Sequence, residues 1–368
     1  MSQILNGLRL LCLARFLQVL GQGTSRVDLS FLELPDVEHC DSRVRDVLSQ
    51  WAKPENATCE IFNKKATLLQ EELSQNKRPK VTVAVFSGRS SSMKVLCRYL
   101  YALHGLGLID EVHLWLLTRV EKDLFWLEEL SRAIPVFKLM RCSSHIAGRA
   151  KYACPYQYYY NLEGGSEDDV VMKVDDDIVY IDLLQFQAFI QAVKHDSLYF
   201  PNIVNNDVCA YLQSRAKVHN LLPSIREKHA SKGNTAPLAL WYQRPARAIR
   251  SHEEFFKCPG RFGKGYDQEL VPWYSRVSLN FFALTMRTAK DAFHHLLKHL
   301  NETHKLQDEP FLTGMYTLLS DRPMYIFTPL VVSHFAFGLQ RKKHNGTEMD
   351  VLFQQYERVS MANCLFIP

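Results

Sequence analysis

The chain has 368 residues, 47% of them hydrophobic and 23% charged, an ordinary globular composition long enough for one large domain or two small ones. Its net charge of +5 comes from 44 Lys and Arg against 39 Asp and Glu. The excess is small, no Lys/Arg-rich run of a DNA-binding kind occurs, and no zinc spacing of Cys and His is present, so no nucleic-acid partner is expected.

The N-terminal stretch ILNGLRLLCLARFLQVL is leucine-rich but interrupted by Arg9 and Arg15. Each Arg near a bilayer centre costs ~2.5–3.5 kcal/mol. The uninterrupted apolar core, Leu10–Ala14, is too short for the centre of a signal peptide. A surface helix with peripheral membrane contact is expected, a degenerate anchor being the alternative. Residues 1–79 read as a helical, stem-like segment that ends in the linker SQNKRPK. Sequons at Asn56, Asn301 and Asn345 point weakly to the Golgi and secretory pathway, with the cytoplasm as the alternative. The nine cysteines are scattered, odd in number and without a C-x-x-C, which favours free buried thiols over a disulfide framework.

From Val81 the pattern alternates. VTVAVFSG is a short apolar run closed by Gly, a buried strand. SSSMKVLCRYLYALHGLG follows as a helix, with Ser in front and Gly105 behind. EVHLWLLT, EKDLFWLEELSRA and IPVFKLMR continue as strand, helix and strand. Strands separated by helices of this length pair in parallel through right-handed crossovers. Residues 80–200 are therefore expected to form an open α/β sheet with a ligand crevice at the carboxyl ends of its strands.

The next strand, in VVMKVDDDIVYI, ends in Asp175, Asp176 and Asp177. Crowded like charges destabilise one another unless water or a cation intervenes. Alternation puts Asp175 and Asp177 on one side and Asp176 on the other. Two carboxylates so placed suit Mg²⁺ or Mn²⁺. The bland alternative is a helix cap, Asp177 or Asp182 starting DLLQFQAFIQAVK.

Strand, D-x-D, IVYID and helix together resemble the GT-A glycosyltransferases, closest to eukaryotic β-1,3-galactosyltransferase-like members. Two further pieces follow in the family's order: LQDEPFLTGMYTLL, similar to an acidic pair opening a helix, and LVVSHFAF, similar to the strand whose His completes the metal site. The resemblance covers residues 80–345. It implies one catalytic domain with a Rossmann-like, mixed but mostly parallel sheet flanked by helices, split into a nucleotide-sugar half (80–204) and an acceptor half (205–345). Residues 346–368 would form a helical tail. It implies Asp175, Asp177 and His334 as ligands of Mn²⁺ or Mg²⁺, and Glu309 as catalytic base with Asp308 as the fallback. The family's pair usually reads Glu-Asp, whereas here it is Asp308-Glu309.

Donor contacts are expected from Ser87, Arg89, Arg149, Lys151, Asp176 and Lys342. The implied partners are a nucleotide-sugar donor, most naturally UDP-linked, and a glycan, protein or lipid acceptor. The stretch 205–260, with nine Lys and Arg against four acids, is either an acceptor surface or a solvated insertion. A metal-dependent phosphoryl-transfer enzyme or hydrolase, an inactive sugar-nucleotide-binding relative and a purely structural module remain as alternatives. Against the first, neither a Walker loop nor a D-x-D-x-[TV] signature is present.

Overall fold

Strand β1 (Val81–Ser87) is buried at every position, as a strand covered on both faces must be. The structure, a computed structural model, describes residues 78–118, 120–142, 152–183, 185–216, 245–257, 262–263, 267–271, 277–303, 308–336 and 346–362. The N-terminal surface helix, Arg149, Lys151, Lys342, two of the three sequons and most of the basic stretch 205–260 lie outside the described residues.

Helix α1 (Ser90–Gly105) returns the chain to β2 (Glu111–Leu116), and α2 (Glu121–Ala133) returns it to β3 (Phe137–Met140). Helix α3 (Cys154–Asn161) precedes β4 (Val170–Asp175). These four strands pair in parallel in the order β3-β2-β1-β4, as the alternating pattern predicts.

Beyond β4 the sheet becomes mixed. Strand β8 (Phe281–Thr285) runs antiparallel to β4. Next come β6 (Leu198–Val204) and β9 (Met324–His334), parallel to each other. One half of β9 pairs with β7 (Gln268–Val271) and the other with β5 (Ile178–Ile181), both antiparallel. Among the described residues the result is a nine-stranded, Rossmann-like open sheet flanked by helices, in which only β5, β7 and β8 run against the rest.

Side-chain alternation along each strand divides the core between the two faces. Val83, Val85, Met172 and Val174 enter one cluster; Ala84, Phe86, Val171 and Phe282 enter the other. Helix α4 (Phe186–Ala192) begins after Gln185, and β5 intervenes between it and Asp177. The Asp182 backbone N–H donates to Val331 O at 2.9 Å. The helix-cap alternative for Asp177 is thereby excluded.

The remaining helices are α5 (Asp207–Arg215), α6 (Pro245–Lys257), α7 (Met286–Thr303), a segment α8, and α9 (Gly346–Ala362). Segment α8 starts as Asp308–Pro310, passes through a π-helical turn (Phe311–Met315) and ends as Tyr316–Leu319. Helix α9 buries Met349, Leu352, Tyr356 and Val359 in the main core, a 3–4-residue spacing that forms one apolar stripe. Among the described residues no helix is long and apolar enough to cross a membrane.

The cysteines correct one expectation. Cys142 and Cys154 form a disulfide, with Cα atoms 5.8 Å apart, while Cys97 and Cys209 are buried thiols. The pair joins the end of β3 to the start of α3, a tertiary proximity that a sequence separation of 12 does not reveal.

His252 on α6 is fully buried, its Nδ1 2.7 Å from the Tyr356 hydroxyl on α9. Burial, and secondarily the charge of His334, pushes its pKa down from 6.5 to about 3. Between those values the unfolded chain binds a proton that the folded chain refuses, so stability falls as pH drops through this window. Denaturant unfolding between pH 7 and 4 should show this loss, and His252→Gln should flatten it. A pH dependence unchanged by that substitution would contradict the assignment.

Candidate metal centre

The buried β4 run Val170–Val174 ends at the three acids, and a two-residue turn (Asp176, Asp177) leads directly into β5. Backbone pairing then sets the geometry. Ile178 lies opposite His334 in the β5–β9 ladder. The Phe335 N–H donates to Asp177 O, and the Asp175 N–H donates to Asn280 O, each at 2.8 Å. Main-chain bonds thus fix the places from which Asp175, Asp177 and His334 project.

One ligand atom from each of these three side chains lies within 4.8 Å of the others. That span matches opposed ligands around an ion with bonds of about 2.0–2.4 Å. The donor set, two carboxylates and an imidazole, suits Mn²⁺ or Mg²⁺ better than a thiolate-seeking metal. Asp177 and His334 are 2% and 7% exposed, so few waters compete for them.

Each carboxylate of the triplet has its own partner. Asp177 Oδ1 lies 2.8 Å from His334 Nε2, and its Oδ2 accepts from Arg89 at 2.7 Å. Asp176 accepts from the Arg89 side chain and, at 2.6 Å, from the Arg89 backbone N–H. A Cβ at Gly88 would stand 2.9 Å from Asp176 Oδ2, so only glycine lets the β1 loop approach this closely. Asp175 accepts from Lys173, whose ammonium also donates to Leu279 O and lies 4.8 Å from the centre of the Phe86 ring.

These surroundings drive the acids apart. Burial raises Asp175 to about 6, with Lys173 opposing and Asp177 reinforcing the shift. Burial acts in the same direction on Asp177, but the His334 and Arg89 interactions outweigh it and hold that carboxyl well below its ordinary range. Asp176 is raised by burial despite Arg89.

Asp175 faces a cleft of about 540 Å³, a size that admits a small-molecule ligand; Asp177 and His334 stand behind it and do not line the cleft. Arg89, Lys173, Asp175 and Asp176 line it together with Asp308 and Glu309 from the start of α8. Leu117, Val120 and Tyr152 provide apolar wall. The buried Tyr156 hydroxyl donates to Asp308 Oδ2 at 2.9 Å. Burial, and then the Asp308 charge, keep that phenol protonated and therefore a donor. Glu309 Oε2 accepts from the Leu279 N–H at 3.2 Å. The π-helical turn follows immediately, a distortion frequent at functional sites.

Asp175, Asp177 and His334 come together as the sequence predicts, and Arg89, Asp176, Asp308 and Glu309 share the cleft. Ser87 is not brought there: it is 0% exposed, its hydroxyl bonded back to Val85 O at 3.3 Å, because the chain leaves the sheet only at Gly88. Arg149, Lys151 and Lys342 lie outside the described residues. Sequence reasoning missed Lys173, although its position two residues before Asp175 places both on one face. It also missed Tyr156 as a carboxylate partner. Asn205 and Asn280, both within hydrogen-bond distance of the His334 ring, lie in no motif. No protein-family model matches the sequence, and no curated protein matches it.

Calorimetric titration with Mn²⁺ should give one site, weakened more than about tenfold by Asp177→Asn or His334→Gln. Affinity should climb as pH rises through about 6, where Asp175 gives up its proton. Equal affinity in wild type and both variants would remove these residues as ligands.

Proposed function

We propose that the chain is a GT-A-type, metal-dependent glycosyltransferase that moves a sugar from a nucleotide-sugar donor, UDP-linked in the simplest case, to a hydroxyl of a glycan, protein or lipid acceptor. One observation carries the reading. An Asp-Asp-His set gathered at strand ends adjoins, through Asp175, a cleft that also holds a separate carboxylate pair. Ligands of open α/β sheets sit at that edge.

Asp175, Asp177 and His334 would hold Mn²⁺ or Mg²⁺, which when bound neutralises charge on a departing diphosphate. Arg89 holds Asp176 and Asp177 in place and favours their ionised forms. Across the cleft, Glu309 accepts the acceptor's hydroxyl proton, while Asp308, fixed by Tyr156, orients the α8 start. With base and diphosphate on opposite sides of the sugar, a single in-line displacement inverts the anomeric centre. The Cys142–Cys154 disulfide supports an oxidising compartment and hence the secretory pathway.

UDP-, GDP- and CMP-sugars tested with and without Mn²⁺ should separate in thermal shift. One nucleotide should stabilise the chain only with the ion, by about 2.7 kcal/mol at a hundredfold excess over Kd. Stabilisation by simple phosphate esters, with none from any nucleotide sugar, would favour the phosphoryl-transfer alternative instead.

Glu309→Gln should cut turnover by ~10²–10⁴ and leave the donor-induced shift intact, with Asp308→Asn doing less. A larger loss from Asp308→Asn would reverse the two roles. A product that keeps the donor's anomeric configuration would refute inversion.

A further inference from the structure

Of the three sequons, Asn301-Glu302-Thr303 is the one that falls on described residues. It forms the last turn of α7. The helix buries Met286, Thr288, Ala289, Ala292, Phe293 and Leu296, and none of its residues after Leu296 is buried. Past that point the His299 ring stacks on Phe311 of α8, with centroids 4.8 Å apart. Asn301, Glu302 and Thr303 are all exposed.

An N-x-[ST] acceptor is read as an amide and a hydroxyl two residues apart. Residues two apart on a helix do not face each other. A transferring enzyme must therefore meet this turn open, either before α7 has formed or when its end frays. The structure makes that opening easy. The Thr303 hydroxyl donates to His299 O at 2.8 Å at the exposed helix end. Water can take over this bond and the last backbone bonds of the helix. No buried side chain lies in the turn, because the apolar stripe stops at Leu296, and helix ends of this kind lie at the low end of local stability. The closed turn also accommodates the product. A bulky, hydrophilic glycan on an exposed Asn stays in water and displaces no packed side chain.

Resting on the secretory placement proposed above, we infer that Asn301 is an N-glycosylation site, its oligosaccharide standing at the end of α7. Asn301 is not among the residues that line the cleft, so the glycan leaves the candidate active site unaltered. The co-reactant is an oligosaccharide carried on a lipid diphosphate. Asn301 Nδ2 bonds to the anomeric carbon of its first sugar, and the bond from that carbon to the diphosphate oxygen breaks. The lipid diphosphate leaves with the electron pair, and one proton of Nδ2 passes to a base of the transferring enzyme. The Cys142–Cys154 disulfide is an independent sign of the compartment in which this transfer takes place.

The test is peptide mass spectrometry on the full chain expressed in a eukaryotic cell. A peptide-N-glycosidase converts a glycan-bearing Asn to Asp, and an untreated sample controls for spontaneous deamidation. Alkylation before and after reduction reports the state of Cys142 and Cys154 in the same material. Asn301 should convert. Thr303→Ala should abolish the conversion completely, and Thr303→Ser, which keeps the hydroxyl, should retain it. A bare Asn301 in a chain whose Cys142–Cys154 disulfide is formed would overturn the site and leave the compartment standing. A glycan on Asn56 or Asn345 without one on Asn301 would do the same. A bare Asn301 in a chain with both thiols reduced would overturn the secretory placement, and the site with it.

Discussion

Three consecutive carboxylates at the end of a buried strand are tolerable only if counter-charges stand against them. Two unit charges 4 Å apart interact by about 4 kcal/mol at an effective dielectric of 20, enough to consume much of the stability of an ordinary domain. Here Lys173 answers Asp175, and Arg89 answers both Asp176 and Asp177, with the His334 ring 2.8 Å from Asp177. Asp308 and Glu309 add two acids to the cleft with no further Lys or Arg among its lining residues. Carboxylates therefore exceed cations there, the electrostatic condition under which a divalent ion is welcome.

Most of the surrounding architecture can be traced to holding that arrangement. Gly88 is bare so that the β1 loop can bring Arg89 against Asp176. Strand β5 leaves the acidic turn for the far side of the sheet, where its ladder with β9 places His334 beside Asp177. Phe335, next in the chain, packs on Tyr356 and His252, so α9 and α6 buttress the end of β9 from behind. A residue on the C-terminal helix thus sits two side chains away from a candidate ligand. Perturbing α9 would reach the candidate metal centre through packing alone.

The half of the fold built from local contacts was legible in the sequence, and the half built from distant pairings was not. Parallel strands buried on both faces appear as continuous apolar runs, and the stretches between them have helical length, the first closed by Gly105, so β1 to β4 emerge in order. Strands β5, β7 and β8 pair antiparallel with segments far along the chain, and no short pattern encodes that register. The candidate metal set was visible because an acidic triplet after an apolar strand conflicts with burial. Lys173 is the hidden half of that same conflict: a buried charge whose purpose appears only once Asp175 is seen beside it. Ser87 failed for a simpler reason: it is the last residue of β1, and its hydroxyl turns inward to Val85 O. The Cys142–Cys154 bond and the Asn205–His334–Asn280 contact join residues that only the folded sheet makes neighbours.

The central claim is that the Asp175–Asp177–His334 cluster carries a divalent ion which in turn binds a nucleoside diphosphate. Anomalous diffraction at the manganese edge, from crystals soaked with Mn²⁺ and UDP, tests it most directly. The account predicts one strong peak within about 2.0–2.4 Å of a ligand atom from each of the three residues, with diphosphate oxygens completing the shell. A peak elsewhere in the cleft, or UDP bound with no ion at the cluster, would contradict it.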